Sequence, residues 1–336
     1  MSKRTSLKDI AEKVGVSTAL VSYVINGQEK EKRVGKEVVK KIRAAAVELN
    51  YQPNQIARSL RQGSTKTIGL IVADIANPFF GNLARVIEDE ASKQGYTVIF
   101  GSSDEDSGKM EALVNTLINR QVDGFIIVPA EGTDLQIKAL QEKKIPLVLT
   151  DRYFRDVTTN YVVLDNFRAT YDAISYLIER GYKKIGMISY KSNLIHMQER
   201  VRGYIEAMNA KTLGNEIRIE EIRYNYGRMD VEKAMNKLVA GDKKINAILF
   251  ATNALTISGL YSVQKLGLKI PEELAIIGFD GNEAFDFFYT PLTYIEQPIE
   301  EMGKEAVRAL IEQINGSTKI VHTKLRPTLI KRESSL

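Results

Sequence analysis

Two sets of residues in this sequence have the types and spacing to do chemistry. Asp74, Phe79, Phe80, Asp151, Arg152, Asp165, Asn166, Asn253 and Asp280 each follow closely on a short apolar run. If those runs are parallel strands, these side chains gather outside the carboxyl ends of a sheet, where open α/β sheets bind small molecules. Taken singly, each is better read as a cap or turn residue, and only their collection on one edge favours a cleft. The second set is Thr18, Ala19, Ser22, Tyr23 and Asn26. At helical spacing these share an outward face that is short or polar and carries no negative charge. Such a face can lie in a DNA major groove against base edges and phosphates. An ordinary helical hairpin would look the same from this stretch alone.

The elements that must present the second set are two short helices joined by a tight turn, within the stretch Leu7 to Asn26. Ser6 and Asp9 make an S-x-x-D capping box at the start of the first. Leu7, Ile10, Ala11 and Val14 give it one apolar face, and Gly15 supplies positive φ where it stops. Ser17 caps the second helix, whose Val21, Val24 and Ile25 face inward before Asn26-Gly27 ends it. A third helix is expected from Lys36 to Leu49, with Val38, Val39, Ile42, Ala45, Ala46 and Leu49 as its stripe. Pro53 pushes Gln52 out of the helical region, so residues 50–53 form a turn. Asn54 can cap one more helix, Gln55 to Leu60, far shorter than the roughly 12–15 residues that stand alone. That segment is either a disordered linker or a helix that forms only when something else, such as DNA, is present.

Charge is distributed unevenly. Up to Lys66 the chain holds 14 Lys and Arg against 6 Asp and Glu, while the remaining 270 residues hold 33 against 36. The positive excess sits entirely on the end with the hairpin, as for a phosphate-binding module on a near-neutral body. A 44% hydrophobic and 26% charged composition is that of a soluble globular protein. No run approaches the roughly 18 apolar residues of a membrane span. No apolar stretch follows the basic start MSKRTSLKDI, so a signal peptide is not expected. With no cysteine, disulfides and thiolate metal sites are excluded, and the cytoplasm is the expected compartment. The two histidines, His196 and His322, cannot build a His-rich metal cluster. No metal and no cofactor is expected.

From Thr67 the pattern changes to alternating strand and helix. Apolar runs at 67–74, 96–103, 124–130, 146–151 and 161–165, then at 184–190, 217–224, 247–251 and 274–280, predict two βαβ series. Strands buried on both faces of parallel sheets are expected, in two lobes of similar size. A helix is expected between the first two strands, Leu83 to Gln94.

The sequence LKDIAEKVGVS…VSYVING, then ELNYQPNQIARSL, TIGLIVADIANPFF, VDGFIIVPA, ERVRGYIEAM, IIGFDG and TPLTYIEQP, resembles the LacI/GalR family of bacterial repressors along essentially the whole chain. The resemblance implies an α/β protein with an N-terminal all-α helix-turn-helix headpiece and a two-lobed domain like periplasmic sugar-binding proteins, with parallel sheets. It places the headpiece at 1–52, a hinge helix and linker at 53–65, and the effector domain at 66–332. Lobe 1 would take about 66–165 and 294–317, and lobe 2 about 166–293 and 318–332. TPLTYIEQP is thus read as the return to lobe 1, followed by a helix from Ile299 to Asn315, with the last strand returning to lobe 2. Three crossovers would permit hinge closure around an effector.

Carried over by residue, the resemblance makes Thr18, Ala19 and Tyr23 base-reading and Ser17, Ser22 and Asn26 backbone-contacting. Ser6, Asn54, Ala57 and Arg61 complete the DNA-contacting set. Leu60 matches the leucine that paired hinge helices wedge into the minor groove. Leu60→Ala is then expected to weaken binding to a specific operator much more than to a random duplex, and equal losses in a titration of both would contradict the wedge. Phe79 and Phe80 match an aromatic shelf in the effector site. Asp151, Asn253, Asp280 and Arg200 match polar contacts, Asn166 is a weaker match, and Tyr226 matches a further aromatic wall. Two departures stand out. Tyr23 replaces the Arg or His often found there, and Ala254 follows Asn253 where an acidic residue is usual.

The implied function is a transcription regulator, a repressor, acting as a homodimer on a pseudo-palindromic double-stranded operator in the bacterial nucleoid. Carboxylates, an amide and a guanidinium around aromatic rings suit a polyhydroxylated effector, a sugar or sugar phosphate; a purine is the lesser alternative. A transporter's sugar receptor without regulatory DNA binding is the competing reading, and it leaves the first 66 residues without a purpose. An enzyme is not expected, because no G-x-G-x-x-G or G-x-x-x-x-G-K-[ST] follows any strand.

Overall fold

A computed structural model describes residues 5–52, 63–224, 227–241 and 244–336. The chain divides into two compact units, Met1–Thr65 and Lys66–Leu336. In the first, α1 (Leu7–Val14), α2 (Thr18–Ile25) and α3 (Lys36–Glu48) are each too short to persist alone and are held by their shared apolar faces. Ile10, Ala11, Val21, Val24, Ile42 and Ala45 form that core. The capping box at α1 is made: Ser6 Oγ accepts from the Asp9 amide at 3.3 Å, and the Asp9 carboxylate accepts from the Ser6 amide at 2.7 Å. Gly15 closes the helix at φ +74°, a conformation that a side chain would strain. Ser17 Oγ accepts from the Leu20 amide at 3.2 Å and starts α2. Asn50, at φ +49°, turns the chain after α3.

The second unit contains two six-stranded sheets. The first holds β1 (Thr67–Val72), β2 (Thr97–Ser102), β3 (Gly124–Ile127), β4 (Leu147–Thr150) and β5 (Asn160–Leu164). The second holds β6 (Ile185–Tyr190), β7 (Arg218–Ile222), β8 (Ala247–Phe250), β9 (Ala275–Phe279) and β10 (Thr293–Glu296). β11 (His322–Leu325) joins the first sheet and β12 (Thr328–Ile330) the second, giving the orders β11-β5-β4-β3-β1-β2 and β12-β10-β9-β8-β6-β7. Every pairing is parallel except β10 with β12.

Helices cover the faces: α4 (Pro78–Lys93), α5 (Ser107–Asn119), α6 (Asp134–Glu142), α7 (Asn166–Glu179), α8 (Ile195–Ala210), α9 (Arg228–Val239), α10 (Asn253–Leu266), α11 (Glu283–Phe287) and α12 (Ile299–Ile314). Successive residues of β1 point to opposite faces of the sheet. Leu70 and Val72 pack with Leu83 and Ile87 of α4 and Met302 and Leu310 of α12, whereas Ile71 packs with Met110 of α5 and Ile137 of α6.

Three expectations are corrected. β10 belongs to the second sheet, with Thr293 level with Ile277 of β9. The chain therefore crosses to the first lobe only after β10 ends at Glu296, with Pro298 at the N-cap of α12. The last strand is two strands, one in each sheet, because Pro327 lacks the N–H that would continue the ladder. β2 is an edge strand with an exposed face rather than a strand buried on both sides, and Phe100 is 57% exposed. In addition, the first helix of this unit starts at Pro78, not Leu83, because Asn77 caps it and Pro78 fits the first helical position.

Gly203 sits inside α8, where glycine costs roughly 1 kcal/mol relative to alanine. Close approach of α7 is the reason for it: a Cβ on Gly203 would lie 2.4 Å from the Phe167 carbonyl oxygen and 3.0 Å from the Tyr171 amide nitrogen. Because backbone cannot step aside, Gly203→Ala is expected to destabilise this unit by about 1–3 kcal/mol despite its better helix propensity. A thermal melt at or above the wild-type midpoint would contradict this packing.

Candidate functional site

The residues after the strands of the second unit converge on a cavity of about 560 Å³ between the two sheets. Phe79, Phe80, Asp151, Arg200, Asn253 and Asp280 all line it, as do Asp74 and Arg152. Phe79 and Phe80 meet edge to face at 5.0 Å between ring centroids. They are placed by the Asn77 cap of α4, whose side-chain oxygen accepts from the Phe79 amide. Asp151 and Asp280 end β4 and β9 at φ +66° and +61°. Non-glycine residues rarely occupy that region, and such conformations concentrate at binding sites.

Buried charge is arranged around those two carboxylates. Arg152 donates two hydrogen bonds of 2.6 Å to the Glu105 carboxylate and one of 3.1 Å from Nε to Asp151. Arg200 donates from Nε to the Asn166 side-chain oxygen at 2.7 Å and from a terminal nitrogen to the Ala251 carbonyl at 2.6 Å. Its guanidinium also stacks 3.6 Å from the Phe279 ring centroid. Burial pulls the Arg152 guanidinium down, but Glu105 and Asp151 more than restore it. Burial lowers Arg200, against the pull of Asp280 and Asp151.

Asp151 is raised by burial, resisted by Arg152 and Arg200. Asp280 is raised by burial to about 6, resisted by Arg200 and by the Gln297 amide, which donates to it at 2.7 Å. His196 is buried in the same wall and kept neutral, well below its usual range, first by burial and then by Arg152 and Arg200.

The raised carboxyl of Asp280 carries a stability consequence. The folded unit binds this proton more tightly than the unfolded chain, whose Asp titrates near 3.8. The resulting contribution to stability is fully present below about pH 4 and is lost as pH rises through 6. Asp280→Asn, which cannot ionise, is therefore expected to melt several degrees above the wild type at pH 8, with the difference closing towards pH 4. A difference independent of pH would contradict the buried carboxylate.

Not every expected residue meets the cavity. Asn166 faces a smaller neighbouring pocket and acts on the cleft through Arg200. Asp165 caps α7, accepting from the Arg168 amide at 3.0 Å, which is the turn role open to it from sequence. Tyr226 lies outside the described residues. Tyr224 and Tyr190, 5.2 Å apart between ring centroids, line the cavity and give it an aromatic wall. Glu105 and Gln297 also line the cavity without being expected there. Both follow strands, so the rule that places the others extends to them; Glu105 follows β2, and Gln297 follows β10, whose run does not show its sheet.

In the first unit, Ser17, Thr18 and Ala19 at the start of α2 are exposed, and Ser22, Tyr23 and Asn26 are half-buried. No acidic residue stands in its first turn, so the exposed amides there can receive phosphate. Asn26 donates its side-chain amide to the Ser22 carbonyl at 2.7 Å and to Ser22 Oγ at 3.1 Å. Ser6 is exposed and engaged with Asp9. Asn54, Ala57, Leu60 and Arg61 lie outside the described residues.

Comparison with known proteins bears on both units. Residues 6–54 match the family model "Bacterial regulatory proteins, lacI family", and residues 174–335 match "Periplasmic binding protein-like domain". The chain is 32% identical over 337 residues to the HTH-type transcriptional repressor PurR of Pectobacterium carotovorum subsp. carotovorum, covering 98% of this chain and 96% of that one. It is 31% identical over 336 residues to the ribose operon repressor of Haemophilus influenzae, covering 98% of each. Among solved structures, the lac repressor dimer bound to operator and an anti-inducer shares the fold, with a TM-score of 0.88 and 21% identity over 99% of this chain and 100% of that one.

Proposed function

The chain belongs to the LacI family of bacterial regulatory proteins, and from that premise we propose that the cleft between its two sheets receives a sugar or sugar derivative that controls operator binding. Members of this family are transcriptional regulators that bind operator DNA and a small-molecule effector as dimers. This chain is such a regulator and not an enzyme, so the reading as a transporter's sugar receptor is set aside. No helix among the described residues is long and apolar enough to cross a membrane.

The observation that carries the effector reading is the convergence of two phenyl rings, two carboxylates, a guanidinium and an amide on one cavity of about 560 Å³. Rings stack on the apolar face of a sugar, carboxylates accept from adjacent hydroxyls, and the guanidinium and amide donate to ring and hydroxyl oxygens. The effector contacts are Phe79, Phe80, Asp151, Arg200, Asn253 and Asp280, with Asn166 orienting Arg200 and with Tyr226 as a further aromatic contact. The DNA contacts are Ser6, Ser17, Thr18, Ala19, Ser22, Tyr23 and Asn26, with Asn54, Ala57, Leu60 and Arg61 in the linker. Residues 1–52 form the headpiece, 53–65 the hinge and 66–332 the effector domain. The ribose operon repressor among the relatives supports a sugar. A thermal-shift screen of the purified protein against free sugars, sugar phosphates and purines separates the classes: stabilisation by a sugar supports the reading, and stabilisation by purines alone overturns it.

A further inference from the structure

The sheets of the second unit are linked by three crossovers, one following β5, one following β10 and one between β11 and β12. β3 is separated from β5 by β4, and the loop after β3 makes a contact of its own with the other lobe. Glu131, in that loop, directs its side chain across the cleft. One carboxylate oxygen accepts from the Asn193 side-chain amide at 2.8 Å and from the Asn193 backbone amide at 3.4 Å. The other accepts from the Ser192 hydroxyl at 3.1 Å. Ser192 Oγ in turn accepts from the Leu194 amide at 3.1 Å, which ties the loop to the start of α8. Among the described residues, all three hydrogen bonds that this carboxylate accepts come from the opposite lobe. Arg155 also reaches across, to Glu199 at 3.2 Å, but Glu199 is held by Arg202 of its own helix and stays paired without it.

We propose that Glu131 is an interlobe latch that holds the second unit closed and, through the Ser192–Asn193 loop, sets α8 and its Arg200 against the cleft. This rests on the effector reading only for the use made of closure; the latch itself is formed by the chain's own residues. Its partners are neutral donors at the N-terminal end of a helix, where a carboxylate is favoured by the helix dipole. Glu131 and Asn193 are exposed, so the bonds are individually weak. An equilibrium between open and closed lobes is nevertheless governed by small differences, and loss of this set is expected to shift it about three- to tenfold towards open. Glu131 is a positioning residue: it acts on effector binding by fixing where Arg200 stands.

The chain has no cysteine, so two introduced ones can be spin-labelled cleanly. Glu111→Cys on α5 and Asn236→Cys on α9 are exposed and lie one on each lobe. Pulsed electron–electron distance measurements on the full chain without ligand are expected to give one dominant distance. Glu131→Ala should move several times more of the population to a longer distance, Asn193→Ala should do much the same, and the two together should add little beyond either. The latch is overturned by a distribution that Glu131→Ala leaves unchanged, by two substitutions whose effects add fully, or by a parent protein already spread over the longer distance. Since no ligand is used, any of these leaves the effector reading standing, and that reading fails instead in the thermal-shift screen.

Discussion

Replacing Arg152 with methionine is expected to lower the melting temperature of the second unit by roughly 10 °C. The substitution keeps bulk and removes the guanidinium that pairs with Glu105 through two bonds of 2.6 Å and with Asp151 through one of 3.1 Å. The side chains of Arg152 and Asp151 are each 5% exposed and that of Glu105 is 11% exposed, so the orphaned carboxylates cannot recruit water freely. Removing one partner of a buried pair costs about 3–5 kcal/mol, and each kcal/mol is worth about 2–4 °C in a unit of this size. Two further outcomes separate lost charge pairing from lost packing. The deficit should narrow from pH 8 to pH 5, because Asp151 is already raised by burial and, without its main counter-charge, takes up a proton more readily. Pairing the change with Glu105→Met should recover the part of the loss that Glu105 causes, since an apolar pair of similar volume can replace a buried ion pair, and should leave the part carried by Asp151. A midpoint within 2 °C of the wild type would show that the network is solvated.

Arg200→Lys is expected to weaken effector binding about 100-fold while leaving operator affinity without effector unchanged. Lysine keeps the charge but is a point donor. It has one nitrogen in place of the two that Arg200 directs at the Asn166 oxygen and the Ala251 carbonyl, and it cannot lie flat on Phe279. The lost rigidity falls on the group that must face the two raised carboxyls, Asp151 and Asp280. Calorimetric titration with a sugar found in the thermal-shift screen measures this directly, and a loss of tenfold or less would remove Arg200 from the contacts.

Local signals carried much of the architecture. Ser6, Gly15 and Ser17 mark the headpiece helices because caps act within three residues of chain. The strands of the second unit were visible as apolar runs because both faces of a parallel sheet are buried. The sheet of β10 is not legible in its run, because TYIE has no feature that tells one parallel sheet from another; only its register beside β9 does. The site was legible to the extent that its residues sit directly after strands, as with Asp151 and Asp280. The partners that tune them were not: Glu105 lies 47 positions from Arg152, and Asn166 lies 34 from Arg200. Nothing in local spacing reports such pairings. The latch at Glu131 is hidden for the same reason.

Occupancy of the cleft is expected to change how the headpiece binds DNA. The most direct measurement is a fluorescence-anisotropy titration of the full-length protein on a duplex from its own upstream region. It is run at one fixed salt concentration, with and without the sugar that stabilises the protein, beside a scrambled duplex. At least a tenfold change in affinity is expected for the upstream duplex and none for the scrambled one, because only specific binding depends on the state that the effector selects. Equal affinities with and without the sugar, on a duplex bound specifically, would contradict it.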